Sequence, residues 1–321
     1  MLNTILGALL PMVVTFLLGF IAAWRHDLGP KDASILNRMV LLYAVPLTLF
    51  AGTVTTSRTA LSQDIPLVIA LCLAIIGLYG VVFLFHRIIF GLPTSVSALY
   101  ALTASAPAVP FVGPAVLGDL FGGLSAIPIA IASLVINLTV VPITILLLTL
   151  DTAGRDPQAT SLAAQGKEQL ASPAAKLAET VKQPMVWAPI LAFVVVLSGL
   201  HIPQLIVHSL SLLGNASGGV ALFASGIVLA SGKIKASLHV LLLVFLKNIL
   251  QPALVLGGLR WVGYGEPTVS EAVLATAIPT MPIVIMFALQ YRVAQEEAAS
   301  AVFLSVIGSI VTMGIFIALT S

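Results

Sequence analysis

Two short segments carry the clearest chemical signal in this sequence. Ala106-Pro107-Ala108-Val109-Pro110-Phe111 and Ile278-Pro279-Thr280-Met281-Pro282-Ile283 each set a Pro-x-x-Pro pair inside an apolar stretch. A proline in a helix removes a backbone donor and clashes with the preceding turn, costing about 3 kcal/mol or more. Two prolines three residues apart predict a broken helix rather than a kink. Each break creates a new helix N-terminus, here near Phe111 and Ile283, with free N–H groups and about half a positive charge. Such ends attract anions. Pro107, Ala108, Val109, Pro110, Phe111, Pro279, Thr280 and Pro282 are therefore candidate substrate contacts.

Other polar residues fall at similar depth. Asn137 stands in the middle of the apolar run Leu134 to Val141, and its amide can donate two hydrogen bonds to a carboxylate. Lys247 lies about eleven residues into another run, or ~16 Å at the helical rise. A lysine there either couples transport to an ion or donates to carbonyls of a broken helix. Asn248 and Gln251 add polarity beside it. The acidic residues, by contrast, all fall in loops or near the ends of apolar runs. A cation site between broken helices would usually carry a carboxylate.

The elements that position these residues follow from composition. Of 321 residues, 59% are hydrophobic and 8% charged, with a mean hydropathy of +1.13. Soluble domains carry about 25% charged residues. The deficit predicts an all-α integral membrane protein. Apolar runs long enough to span a bilayer predict ten transmembrane helices over 3–24, 33–56, 65–90, 94–120, 123–150, 184–201, 204–231, 236–261, 268–291 and 297–320. Only 151–183 reads as a soluble linker. It divides the chain into five-span repeats, 1–150 and 184–321. Because five is odd, the second repeat enters the membrane from the opposite side, an inverted repeat of the kind many secondary transporters share. The Pro pairs fall in spans 4 and 9, the fourth of each repeat. Lys and Arg gather on one set of loops, which the positive-inside rule makes cytoplasmic. The linker then faces the cytoplasm and both termini face the periplasm.

Several classes are excluded or left empty. No basic patch with interleaved aromatics suggests nucleic acid. No metal-ligand spacing, His-Glu-x-x-His motif or Gly-x-Ser-x-Gly motif appears, so no enzyme and no cofactor is expected. Cys72 reads as a packed, inert thiol. His26, His86, His201, His208 and His239 read as interfacial anchors. Asn215 and Ser217, beside Gly214 and Gly218, suggest an interruption of span 7 or a small-residue packing face. Pro46, with Thr48 nearby, suggests a kink in span 2.

The chain resembles the auxin efflux carrier family, in the bacterial branch that includes malonate transporters. The resemblance runs over essentially the whole chain. Pro-Phe-Val-Gly-Pro-Ala-Val-Leu at 110–117 is its most specific stretch, supported by Leu10-Pro11, Leu41 to Pro46, Asn137 to Pro142, Gln183-Pro184 and Lys247 to Pro252. It implies a fold similar to sodium/proton antiporters. Spans 1, 2, 6 and 7 would form a scaffold, and spans 3–5 and 8–10 a transport domain moving like an elevator. It also implies a carboxylate held where spans 4 and 9 cross. Plant relatives use asparagines of spans 4, 5 and 9 there. Only Asn137 carries over; Ser105 stands in span 4, and Thr276 or Thr280 in span 9. The expected cargo is a small mono- or dicarboxylate in a bacterial inner membrane, with an anion channel or an auxin-like cargo as alternatives. Proton coupling, sodium coupling, uniport and pairing into a homodimer all stay open.

Overall fold

The computed structural model describes residues 2–55, 65–152, 184–200, 202–231 and 235–320. Most of the expected linker, from 153 to 183, lies outside the described residues, as does His201. The rest is helical, with no strand among the described residues. The helices are α1 (Leu2–Trp24), α2 (Pro30–Val54), α3 (Ile65–Ile89), α4 (Thr94–Ser105) and α5 (Val109–Phe121). They continue with α6 (Ile127–Asp151), α7 (Pro184–Ser198), α8 (Gln204–Ser231) and α9 (Leu238–Val262). The last are α10 (Thr268–Ala277), α11 (Ile283–Tyr291) and α12 (Gln295–Leu319).

Six of them, α2, α3, α6, α8, α9 and α12, are long and apolar enough to cross a membrane. The polarity runs inside out. Leu73, Val81, Ile88, Leu205, Leu212 and Trp261 are exposed, while Lys247, Asn248, Gln251, Asn137 and Ser305 are buried. Water would not tolerate such a surface, but lipid does.

Four long helices contain π-helical turns; α3 has two, Leu73–Gly77 and Phe85–Ile89, and the other three are Val40–Ala44 in α2, Ile136–Val140 in α6 and Leu246–Leu250 in α9. In those last three a proline follows two residues later, at Pro46, Pro142 and Pro252. A proline cannot donate to the carbonyl four residues back and crowds it. The wider turn relieves that crowding without breaking the helix. The expected kink at Pro46 takes this form. Two of these turns carry the deep polar residues, Asn137 in α6 and Lys247 with Asn248 in α9.

The expected interruption of span 7 is absent, because α8 runs unbroken from Gln204 to Ser231. Its small residues serve close packing instead. A Cβ at Gly226 would lie 2.1 Å from the carbonyl oxygen of Phe16, and one at Gly19 would lie 1.9 Å from that of Phe223. Helices α1 and α8 therefore touch backbone to backbone. Thr48 of α2 donates to the Gly214 carbonyl of α8 at 2.6 Å. Helix α7 packs on α2, so α1, α2, α7 and α8 form one cohering group. Of the rest, α10 packs on α9 and α12, α11 on α12, and α4 on α3 and α6. The groups meet along α1 and α12, where Phe16 and Phe303 stack with ring centres 4.8 Å apart.

Two glycines of α8 separate packing from propensity. Gly226→Ala should lower stability by about 1–3 kcal/mol through overpacking. Gly219→Ala, where a Cβ meets nothing within 4 Å, should be neutral or stabilising. Thermal denaturation followed by size exclusion reads both, and equal midpoints would contradict the close approach.

Candidate functional site

Both Pro-x-x-Pro segments break their helices. Helix α4 ends at Ser105 and α5 starts at Val109; α10 ends at Ala277 and α11 starts at Ile283. The extended residues between them meet as an isolated antiparallel bridge, Pro107 opposite Thr280. Ala108 N–H donates to the Pro279 carbonyl at 2.8 Å, and Met281 N–H to the Ala106 carbonyl at 3.0 Å. Each break thus satisfies the other. Ser105, Ala106, Ala108, Ile278, Thr280 and Met281 are all buried. Interrupted backbone at this depth survives only when enclosed by protein or water, and here protein encloses it.

The C-terminal ends of the broken helices are capped by side chains. Lys247 of α9, with no exposed surface, donates from Nζ to the Thr276 carbonyl at 2.6 Å. Gln251, one turn further along the same face, donates from Nε2 to the Ser105 carbonyl at 2.9 Å and to the Ala74 carbonyl of α3 at 3.0 Å. Thr280 Oγ1 donates to the Thr103 carbonyl at 2.9 Å. Lys247 places its Nζ donor against the negative end of α10. Of the two roles expected for this lysine, donation to a broken helix is the one the geometry displays.

A second network fixes the break before α11. Thr280 N–H donates to Ser305 Oγ at 3.0 Å, and Ser305 Oγ donates to Asn248 Oδ1 at 2.7 Å. Asn248 Nδ2 returns to the Ser305 carbonyl at 2.7 Å. Helices α9 and α12 therefore hold the α10–α11 break from both sides.

The N-terminal ends are treated differently. Phe111 and Val112 N–H groups turn back to the Ala108 carbonyl, at 3.0 and 2.9 Å, and Val284 N–H to that of Met281. Among the described residues, no acceptor is found for the N–H of Val109 or Ile283. The prolines at 107, 110, 279 and 282 remove four further donors. No carboxylate hydrogen-bonds to either break among the described residues; Glu271 is buried, but in the first turn of α10, away from the break.

The structure brings together Ser105, Pro107, Ala108, Val109, Thr276, Pro279, Thr280, Pro282 and Lys247. Pro110 and Phe111 form the first turn of α5, with Phe111 against Gly218 of α8. The hydroxyls of Ser105 and Thr276 bond within their own helices, to Ala101 at 2.7 Å and to Val273 at 2.9 Å. Asn137 is buried, and its Oδ1 lacks a hydrogen-bond partner. No hydrogen bond ties it to the breaks. Sequence reasoning missed Ser305 and Thr103, because a serine or threonine in an apolar helix gives no signal of its own.

The family model for "Membrane transport protein" matches residues 4–317. The chain is 31% identical over 320 residues to "Uncharacterized transporter YfdV" of Escherichia coli K12, covering 99% of this chain and 98% of that protein. Its counterparts in Escherichia coli O157:H7 and Shigella flexneri match to the same extent.

Gln251→Leu keeps the volume of its side chain but strands two carbonyls. Each stranded group should cost about 1–3 kcal/mol. A thermal midpoint equal to that of the parent chain would show that neither bond matters.

Proposed function

The chain belongs to the membrane transport protein family, the auxin efflux carrier family that its motifs resemble, and on that premise we propose that it is a secondary carrier of a small organic anion. The cargo class is a mono- or dicarboxylate, with malonate the first to test. The observation that carries this reading is the unequal capping of the broken helices. Their negative ends are neutralised by Lys247, Gln251 and Thr280. Their positive ends keep the N–H groups of Val109 and Ile283 without an acceptor, and no carboxylate bonds there. A carboxylate placed between those ends would gain up to about 2 kcal/mol from each dipole in a partly buried site. A sodium ion or amine would meet repulsion.

Asn137 is assigned to the substrate carboxylate because it is buried in the middle of α6 and its Nδ2 amide can donate two hydrogen bonds. Ser105 and Thr276 act through their carbonyls, as acceptors for Gln251 and Lys247, which hold the crossing in shape. Lys247 keeps two roles in this proposal: it balances the α10 end, and it is the group through which a proton could be coupled.

The same reading organises the chain. Six full-length helices, two shorter apolar ones within α1 and α7, and two broken pairs make ten spans. The broken pairs occupy matching places in two inverted halves, 1–150 and 184–321, on either side of a cytoplasmic linker. The group α1, α2, α7 and α8 is assigned as the scaffold, and the rest as the transport domain. Phe111 then meets Gly218 at the sliding surface, where a Cβ would lie 2.7 Å from the ring. By the charge of its loops, the chain sits in a plasma membrane with both termini outside.

Purified protein in liposomes should show saturable malonate or similar carboxylate uptake, and counterflow that a channel would not give. Asn137→Ala should weaken binding about 10- to 100-fold, the worth of one or two charge-assisted hydrogen bonds. Unaltered affinity would remove Asn137 from the site. Gly218→Val should leave binding intact and slow transport; unchanged turnover would argue against sliding at Phe111. Preferential stabilisation by organic cations would overturn the anion reading.

A further inference from the structure

Two histidines that the transport site does not use meet at the far end of α9. His86, in the last π-helical turn of α3, has no exposed surface. Its ring centre lies 5.7 Å from that of His239, the second residue of α9. This placement departs from the interfacial anchoring that sequence suggested for His86. Its Nδ1 lies 2.9 Å from the Val82 carbonyl. A carbonyl only accepts, so Nδ1 carries the hydrogen and Nε2 is left as an acceptor. That Nε2 is buried without a partner among the described residues, and so is Nδ1 of His239.

Two orphaned ring nitrogens on neighbouring histidines, His86 buried and His239 half-buried, call for a common solution. A direct N–H···N bond of ~3 Å would put the ring centres ~5.2 Å apart, about half an ångström closer than they stand. Were the neutral rings to close that gap, His239 Nδ1–H would donate to His86 Nε2. One added proton makes the donor ring an imidazolium and strengthens that bond. A second would place two cations among apolar rings, which is unfavourable. Phe90 and Tyr100 lie 4.7 and 5.9 Å from the His239 ring centre, where aromatic faces favour a single cation.

The other charged groups nearby point the same way. Tyr100 of α4 lies within electrostatic reach of Lys235 and Glu297. Lys235 is bound by Glu297 and Glu296 of α12, each at 2.9 Å, and these hold its ammonium protonated well above the usual lysine range. One ammonium against two carboxylates leaves a net negative charge, which favours a cation beside it. Arg87 of α3 donates to the Leu92 carbonyl at 3.2 Å. A divalent metal fits poorly, since no group of three metal-ligating side chains occurs among the described residues.

We propose that His86 and His239 form one proton-binding site, taking up a single proton per molecule, held between the two rings directly or through one water. The site lies eight residues, ~12 Å, from Lys247 along α9. It is therefore separate from the crossing, and it stands or falls independently of the anion reading. With the loop orientation proposed above it faces the cytoplasm and reads its acidity.

Histidine-selective 15N NMR on the full-length protein in detergent tests the count between about pH 8 and pH 5. The expected result is that the two rings change together, with one proton between them. His239→Gln and His86→Gln should each abolish the shared transition, and each identifies the signals of the ring that remains. If His86→Gln does not fold, the parent titration with His239→Gln still gives the count. Two independent single-proton transitions, or none in this range, would overturn the proposal. So would equimolar Zn2+ that shifts both rings at constant pH.

Discussion

In hydrocarbon a backbone amide that loses its helical partner has no water to turn to, and that constraint shapes this molecule. The Pro-x-x-Pro segments at 107–110 and 279–282 each open a helix where such a loss costs several kcal/mol per group. The opened strands find each other, Ala108 bonding to Pro279 and Met281 to Ala106. Neither break is stable alone at that depth. The fold must therefore bring residues some 170 positions apart into register, and the packing of α9 and α12 around the crossing is what holds them there.

One helix face does much of that holding. Lys247 and Gln251, one turn apart on α9, reach the C-terminal ends of α10 and α4 respectively. Asn248, between them, reaches α12 through Ser305, which in turn caps Thr280. The π-helical turn ahead of Pro252 lies at this point. Capping negative ends with side chains while leaving positive ends open makes the crossing electrostatically one-sided. That polarity is the ground for the proposed anionic cargo, and the chain belongs to a membrane transport family.

Much of this was legible in the sequence because proline is a strong signal. The two breaks and the burial of Lys247 and Asn137 follow from residue type and spacing in apolar runs. What could not be read was partnership. Nothing in the sequence tells whether Lys247 faces a carbonyl or a ligand; the structure puts it on Thr276. Asn215 and Ser217, beside Gly214 and Gly218, left open an interruption or a small-residue packing face, and the unbroken helix shows the packing face. The pairing of His86 with His239 is a meeting of α3 with α9, and local pattern carries no trace of it. Ser305 and Thr103 escaped notice because their hydroxyls matter only through partners far away in sequence.

The meeting of the two breaks can be measured with a single pair of cysteines. Pro107 and Thr280 face each other as a non-hydrogen-bonded antiparallel pair, for which Cα atoms stand about 4.5 Å apart, within disulfide range. In a Cys72→Ser chain carrying Pro107→Cys and Thr280→Cys, mild oxidation in the membrane should form an intramolecular disulfide, read as a two-dalton loss by intact mass spectrometry. Two persistent free thiols in folded, monodisperse protein would mean that the broken helices do not cross, and the account built on their crossing would fail.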